Sequence, residues 1–277
     1  MKQDSITFNE QVVVITGAGR GLGASYARQF ASRGAHVVVH DAGVARDGSG
    51  FDEGPANSVA QEIQNAGGKA STAFQNLNTA VQCQALINDV LSQHGRIDVL
   101  IHNAGLVTYT GIEATTDEEW ARLSAININA PFWLCRAVWP IMRQAEYGRI
   151  VLTASGYGLK AWEGSDVTAY GIGKAAQFGL MNGLAGEGMA HNIKVNAISP
   201  VAVTRIYRAK LPPNVNTAES VAPGVVLLGS KECPWTGKVL QAVNNKFVVA
   251  ELENQAKYES DSLTTPEELL KNLGEIK

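Results

Sequence analysis

The stretch VVVITGAGRGLG, residues 12 to 23, determines the class of fold that this chain adopts. Its first half is a run of β-branched residues, typical of a strand that is buried on both faces of a parallel sheet. The second half places Gly17, Gly21 and Gly23 between that strand and a helix-forming stretch. Glycines here let a pyrophosphate approach backbone N–H groups, and the helix N-terminus adds partial positive charge. The stretch therefore predicts nucleotide binding, and a tight structural turn is the alternative use of the same glycines.

Two charged residues near this turn bear on the choice of nucleotide. Asp41 follows the next predicted strand, AHVVVH. A carboxylate there can accept hydrogen bonds from an adenosine ribose and repels a 2′-phosphate. Arg20 favours the opposite preference, because a guanidinium could bind that phosphate, although it could equally face solvent. Since the Asp41 charge would lie nearer the 2′ position, we predict NAD as the cofactor.

Strand-like and helix-like stretches alternate about seven times without a break in composition, which predicts a doubly wound parallel α/β (Rossmann) sheet. The expected strand order is 3-2-1-4-5-6-7, with the ligand crevice at the carboxyl ends of the strands. Thr116 is predicted to cap a long helical region that continues past Pro131. We expect an NAD-binding domain over residues 8–249 and a C-terminal extension over 250–277, with a helix near Pro266. The predicted strands are 11–16, 35–40, 70–74, 97–105, 149–155, 193–199 and 238–243.

The composition excludes several classes of function. The chain has 277 residues, of which 45% are hydrophobic and 18% charged, and its net charge is −3. Because the basic residues form no stripe, neither nucleic acid nor an anionic membrane is an expected partner. The expected ligand is a small-molecule substrate.

Cysteine and histidine usage points to reduced thiols and to no metal site. Cys83, Cys135 and Cys233 are widely spaced and odd in number, and His94 and His191 have no partners at metal-ligand spacing. The start of the sequence has no apolar signal region, no apolar run is long enough for a membrane span, and the final EIK is no recognisable peroxisomal address. We expect a cytoplasmic protein.

The stretch TAYGIGKAA, residues 168 to 176, places Tyr170 one helical turn before Lys174. Alone, such a pair is common on a solvated helix face. A free tyrosine has a pKa of about 10 and is a poor base at neutral pH. A neighbouring ammonium and the positive nicotinamide of NAD would both favour the phenolate, and this would bring the pKa of Tyr170 towards the working pH.

These motifs together resemble the short-chain dehydrogenase/reductase family. The family's TGxxxGxG and YxxxK patterns are complete at Thr16 to Gly23 and at Tyr170 to Lys174. Its NNAG motif is present as HNAG, residues 102 to 105, and NAISPV (196–201) matches the stretch that meets the nicotinamide. The resemblance covers roughly residues 8 to 245.

The resemblance implies a role for each matched residue. Tyr170 would be the general base, Ser155 would hydrogen-bond the substrate oxygen, Lys174 would support the tyrosine, and Asn127 would hold a water that links Lys174 to solvent. The implied cofactor-binding residues are Gly17, Arg20, Gly21, Leu22, Gly23, Asp41, Asn76, Leu77, Asn103, Ala104, Gly105, Tyr170, Lys174, Pro200 and Val203.

Two departures from the family pattern concern the ligand pockets. The stretch between Ser155 and Tyr170 is longer than usual, and the extra residues fall in the loop KAWEGSD, where Trp162 is a candidate for the substrate pocket. Where an acidic residue often meets the adenine, this chain has Gln75 or Asn76, whose amide oxygen could still accept from the adenine amino group.

A narrower resemblance concerns the substrate. VVVHDAG, the Gly-rich segment 43–54 and ESVAPGVVLL (219–228) resemble the dehydrogenase part of peroxisomal multifunctional β-oxidation enzymes. That resemblance implies oxidation of a 3-hydroxyacyl-CoA with NAD. Basic residues near the predicted pocket mouth are compatible with a coenzyme A phosphate, or with simple solubility: Lys160, Arg205, Arg208 and Lys210.

Alternatives remain open at this point. The longer loop with Trp162, and the absence from this sequence of the hydratase domain that follows in those enzymes, favour a bulky apolar alcohol such as a steroid or terpenoid. A non-catalytic NAD-binding regulatory protein is a third possibility. The family resemblance implies a homo-oligomer, a dimer or tetramer, and the apolar stripe containing Trp133, Cys135 and Trp139 suits either a core or a subunit interface.

Overall fold

An eight-stranded sheet forms the centre of the protein in the computed structural model, which describes residues 5–202, 217–251 and 264–273. The strand order is β3-β2-β1-β4-β5-β6-β7-β8, and all neighbours from β3 to β7 are parallel. The predicted doubly wound fold and strand order are therefore confirmed. The strands are β1 (Val12–Thr16), β2 (His36–His40), β3 (Lys69–Ala73), β4 (Val99–His102), β5 (Gly148–Thr153), β6 (Ile193–Val201), β7 (Val239–Val243) and β8 (Lys246–Ala250).

Helices cover both faces of this sheet, because both faces of the inner strands are apolar. In β1, Val13 and Ile15 point to the face that packs α1, α2 and α7, whereas Val12 and Val14 point to the face that packs α3, α5 and α6. The helices are α1 (Gly21–Ala31), α2 (Gly54–Asn65), α3 (Ala80–His94), α4 (Asp117–Ser124), α5 (Ala130–Gln144), α6 (Thr168–Gly188), α7 (Ala222–Gly229) and α8 (Pro266–Leu273).

The long helical region predicted after Thr116 is interrupted. Thr116 caps α4 as expected, and its side chain accepts a hydrogen bond from the backbone N–H of Glu119. Between α4 and α5 the chain forms a π-helix over Ala125–Asn129, which the sequence pattern did not predict. A π turn widens the helix by one residue per turn and is frequent at functional sites. This one contains Asn127.

The sheet extends one strand further than the sequence predicted. After β7, Asn244 and Asn245 both adopt positive φ angles of 47° and 61° and reverse the chain. β8 then pairs antiparallel with β7 at the edge of the sheet. Asparagine tolerates the left-handed conformation that tight hairpins require, and this signal was missed.

Candidate active site

The glycine turn after β1 has the geometry that a pyrophosphate requires. Gly17 and Gly21 have positive φ angles of 65° and 53°. A Cβ at Gly23 would lie 2.2 Å from the carbonyl oxygen of Gly17, so only glycine fits there. At the start of α1, Arg20 provides no side-chain cap, and the first turn contains no acidic residue. The N–H groups of this helix end are therefore available to an anion, which fits a dinucleotide.

The HNAG segment fastens this turn to the neighbouring strand β4. The Thr16 hydroxyl oxygen accepts hydrogen bonds from the backbone N–H groups of Asn103 and Ala104, each at 3.1 Å. The Asn103 side-chain amide donates to the carbonyl oxygens of Thr16 at 3.2 Å and Gly17 at 3.0 Å. These bonds hold the carboxyl ends of β1 and β4 together beneath the cofactor crevice.

His102 replaces the asparagine that is usual at the first position of this motif. Its Nδ1 lies 3.1 Å from the Thr16 hydroxyl oxygen. Because that oxygen already accepts two N–H donors, the hydroxyl donates to Nδ1, and the ring proton therefore resides on Nε2. Burial, with the charge of Lys174 adding to it, lowers the pKa of His102 to about 3. The ring is neutral at working pH.

Asp41 is held by the two loops that border the ribose position. Its Oδ2 accepts from the N–H of Gly19 at 2.9 Å, and its Oδ1 accepts from the N–H of Gly43 at 2.8 Å. Arg20 instead reaches the Gly-rich segment 43–54, where it donates to the carbonyl oxygen of Val44 at 3.5 Å and lies 3.8 Å from Asp52. The carboxylate is thus fixed at the end of β2, while the guanidinium lies against the loop.

The Gly-rich loop 43–54 approaches the residue that follows the HNAG segment. It leaves β2, and a Cβ at Gly48 would lie 2.9 Å from the side chain of Leu106, which directly follows the HNAG segment. The loop is largely exposed, as the sequence predicted. The loop therefore passes close to the segment that follows β4.

The residues at the adenine end divide into two roles. The side chain of Gln75 donates to Asp89 on α3 at 2.6 Å, which turns it away from the end of the strand. Asn76 accepts from the N–H of Asn78 at 3.1 Å, and Leu77 is buried. Gln75 Oε1 is buried and has no hydrogen-bond partner among the described residues, so the contact to the adenine is not assigned to one amide over the other.

Lys174 projects from α6 into the interior. Its ammonium donates to the carbonyl oxygen of Thr153 at 2.6 Å, and its Nζ lies 5.6 Å from the ring centre of Tyr170. A Cβ at Gly105 would lie 3.4 Å from Nζ, so this glycine leaves room for the lysine. Burial lowers the pKa of Lys174 to about 8.

Tyr170 and Ser155 meet at the carboxyl end of β5. The Ser155 hydroxyl hydrogen-bonds the phenol, which lowers the pKa of Tyr170, but burial outweighs it and raises that pKa to about 12. Lys174 alone therefore does not bring the pKa of Tyr170 towards working pH in this structure, and the contribution expected from the nicotinamide stays a prediction. The physical reason is distance, because the ammonium is directed at Thr153 and not at the phenol oxygen.

Asn127 lies in the π-helix and is fully buried. Its side chain makes two bonds to Leu106, one from the N–H of Leu106 at 3.2 Å and one to its carbonyl oxygen at 2.8 Å. The main-chain carbonyl oxygen of Asn127 accepts from Gln177 Nε2 at 3.3 Å. Sequence reasoning did not single out Gln177, whose only signal was its position one turn after Lys174.

Aromatic side chains line the mouth of the crevice. Tyr157 packs edge-on against Tyr170, with ring centres 6.2 Å apart, and Trp162 lies 5.8 Å from Tyr157. Trp162 is 49% exposed and donates its indole N–H to the carbonyl oxygen of Gly156 at 3.1 Å. Lys160 stacks over the Trp162 ring at 4.6 Å. Trp162 therefore belongs to this mouth and does not reach Tyr170 itself.

The remaining predicted residues lie at varied distances from this centre. Leu22 is partly buried in α1, and Pro200 lies near the end of β6. Cys135 is buried in the core, and Trp133 and Trp139 are partly buried and pack against that core. Val203, Arg205, Arg208 and Lys210 fall outside the described residues.

The two histidines for which no metal site was predicted each contact a nearby side chain. His94 ends α3, where its Nε2 lies 3.1 Å from the Ser71 hydroxyl, and His191 pairs with Glu146 at 3.2 Å. Within residues 5–202, 217–251 and 264–273, no group of three or more His, Cys, Asp or Glu side chains is placed to hold a metal ion. No helix in that part of the chain is long and apolar enough to cross a bilayer.

The parallel sheet, the glycine turn and the Ser–Tyr–Lys group define a nucleotide-dependent oxidoreductase, and comparison with known proteins agrees. The family model described as short chain dehydrogenase matches residues 11–214. The chain belongs to the short-chain dehydrogenase/reductase family, whose members use NAD or NADP.

Three similar proteins are informative. The peroxisomal multifunctional enzyme A of Dictyostelium discoideum is 33% identical over 98% of this chain and 61% of its own length. The peroxisomal hydratase-dehydrogenase-epimerase of Saccharomyces cerevisiae is 35% identical over 98% of this chain and 30% of its own length. The crystal structure of a short chain dehydrogenase from Mycobacterium avium has a TM-score of 0.84 and 33% identity, covering 98% of this chain and 97% of that one. The chain thus spans only part of the two multifunctional enzymes.

Proposed function

We propose that this protein is an NAD-dependent dehydrogenase that interconverts a secondary alcohol and a ketone, with Tyr170 as the general base. The observation that carries this proposal is the meeting of Ser155, Tyr170 and Lys174 at the carboxyl ends of the strands, beside the glycine turn. A protein that only bound the nucleotide would have no use for all three side chains together, which argues against a regulatory role.

The residues suggest how the alcohol proton is handled. Ser155 donates a hydrogen bond to the substrate oxygen and holds the hydroxyl beside the phenol, and Tyr170, as phenolate, accepts the hydroxyl proton. When bound, NAD supplies the hydride acceptor and a positive ring that favours the phenolate. A pKa of about 8 lets Lys174 release and regain a proton near neutral pH, so it can take part in proton release from the site.

The chain has a fitting group for each part of the cofactor. The turn of Gly17, Gly21 and Gly23 would hold the pyrophosphate, and Asp41 the adenosine ribose. Each oxygen of Asp41 has one N–H donor and keeps a further lone pair for a ribose hydroxyl. The same carboxylate would repel a 2′-phosphate, and this supports NAD. NADP is the second candidate. Arg20 lies against the loop that follows β2, and a rotation of its side chain would bring the guanidinium to a 2′-phosphate.

For the substrate we propose a 3-hydroxyacyl thioester. Its support is the resemblance to the multifunctional enzymes, together with Lys160 at the mouth. A bulky apolar alcohol is the second candidate, and the aromatic wall of Tyr157 and Trp162 favours it.

A panel of substrates separates these two candidates. NAD reduction would be followed with 3-hydroxyacyl-CoA esters and with cyclic and long-chain free alcohols at matched concentrations. The proposal expects the highest kcat/KM with a thioester. Free alcohols with a kcat/KM at least about tenfold above every thioester would exclude it.

We also propose that the protein forms a dimer or tetramer through the outer faces of α4 and α5. Trp120 on α4 is 39% exposed and Phe132 on α5 is 49% exposed, with Arg136 over the Phe132 ring. Sedimentation velocity should give a mass above that of one chain, and Phe132→Glu should lower it. A monomeric wild-type protein would contradict this proposal.

A further inference from the structure

Gln177 is a fully buried polar residue on the catalytic helix α6, and it forms part of no ligand contact described above. Its side-chain Nε2 donates to the main-chain carbonyl oxygen of Asn127 at 3.3 Å. The orientation of the amide is fixed by chemistry, since two carbonyl oxygens cannot hydrogen-bond to each other. Its Oε1 therefore points the other way, and within the described part of the chain it has no hydrogen-bond partner.

Packing alone does not account for a glutamine at this position. A buried amide with only one end paired costs free energy, because the other end has lost water without gaining a partner. A methionine has similar length and would fill the same space without an unpaired oxygen. The glutamine adds a hydrogen-bond donor at the Asn127 carbonyl and an acceptor beside it.

The location connects this amide with the catalytic lysine. Lys174 and Gln177 are three residues apart on α6, so their side chains leave the same face of the helix. Both are buried, with Lys174 3% exposed. Both ends of the Asn127 side-chain amide are held by Leu106, and its main-chain carbonyl is the group of this residue that Gln177 contacts.

The neighbouring glycines show that the surroundings of Asn127 are closely packed. A Cβ at Gly173 would lie 2.6 Å from the Cβ of Asn127, and a Cβ at Gly105 would lie 3.1 Å from its Oδ1. The π-helix, α6 and the HNAG segment therefore meet at Asn127 without spare room. Small displacements of its carbonyl would change any hydrogen bond it makes.

We propose that Gln177 is a positioning residue of the proton path: its Nε2 fixes the Asn127 carbonyl, and its Oε1 is a further buried acceptor on the helix face that also carries Lys174. This inference rests on the proposed function. During oxidation, the alcohol proton moves to the Tyr170 phenolate and one proton must then leave through Lys174. Gln177 gains and loses no proton in this step. It keeps the acceptors aligned.

The test compares the full-length wild type with Gln177→Met, using the best substrate of the panel above. We expect kcat to fall about tenfold, a modest share of the gain typical of placed acid–base groups. The solvent deuterium isotope effect on kcat should rise, because proton release becomes slower relative to the other steps. The KM for NAD and the melting temperature should stay near wild type. Gln84→Met is the matched control, since Gln84 is an exposed helix residue whose side chain donates to Asn88.

A second variant keeps the test valid if Gln177→Met folds poorly. Gln177→Glu retains shape but places a negative charge near Lys174, and it should move the pH dependence of kcat to higher pH. If both variants show wild-type kcat, isotope effect and pH profile, or if either loses only thermal stability, Gln177 is a packing residue and the inference is wrong. If the wild type is inactive, or Tyr170→Phe remains active, the proposed function fails and this inference falls with it.

Discussion

Replacing Lys174, the lysine of the proposed catalytic group, should remove activity and at the same time stabilise the protein at neutral pH. Lys174 is 3% exposed, and its ammonium bonds to the carbonyl oxygen of Thr153. Burial holds its pKa at about 8, below the ordinary 10.5, because the charged form is poorly solvated there. Lys174→Met keeps the length of the side chain and removes the charge.

The size of the effect follows from the pKa of Lys174. A fall from 10.5 to about 8 corresponds to a cost on the order of 3 kcal/mol for the buried charge at neutral pH, at 1.36 kcal/mol per pKa unit. The lost bond to Thr153 offsets about 2 kcal/mol of that. We therefore expect a net gain of about 1 kcal/mol at pH 7. Between pH 8 and pH 10.5 the native lysine is neutral while the unfolded one still binds a proton, so wild-type stability rises with pH. The rise is about 2 kcal/mol by pH 9.5, so at that pH the variant should be slightly less stable than wild type.

Guanidinium unfolding at pH 7 and pH 9.5, followed by tryptophan fluorescence, measures both quantities. Lys69→Met is the control, because the side chain of Lys69 is 65% exposed and its replacement should be neutral at both pH values. The reasoning is refuted if Lys174→Met is less stable than wild type at both pH values. A stability difference that does not change with pH would refute it as well.

Two further substitutions test the cofactor site. Asp41→Ala should reduce the ratio of kcat/KM with NAD to kcat/KM with NADP at least about tenfold, since it removes the charge next to the 2′ position. A wild-type protein that prefers NADP would contradict the greater weight given to Asp41 than to Arg20. Gly23→Ala should weaken NAD binding more than tenfold and cost about 1–3 kcal/mol of stability, because its Cβ would meet the Gly17 carbonyl. Gly183→Ala has open space around its Cβ and should be neutral or stabilising, and equal NAD affinity in the two alanine variants would contradict the account of the turn.

The sequence was sufficient for the fold because its signals are local and repeated. The first two strands are short β-branched runs, and the turn after β1 joins the strand to a helix with glycines at fixed places. The cap at Thr116 and the helix near Pro266 were predicted for the same reason. In contrast, β8 was not predicted, because the sequence signal for its hairpin is limited to the two asparagines at 244 and 245.

The chemistry of the site was less predictable from the sequence. Motif spacing brought Tyr170 and Lys174 together, but the direction of the lysine side chain depends on Thr153, which belongs to another element. The π-helix and the bond from Gln177 to Asn127 arise from packing between α6 and the chain after β4. The sequence periodicity of α6 and of the π-helix segment contains no signal for a contact between them.

Tyr170→Phe tests the central claim most directly, because it removes one hydroxyl and leaves the rest of the crevice in place. NAD affinity would be measured by calorimetry and turnover by NAD reduction on the same preparation. If Tyr170 is the general base, the variant binds NAD within about threefold of wild type while turnover falls at least about a hundredfold. A variant that keeps more than about a tenth of wild-type turnover would contradict the assignment.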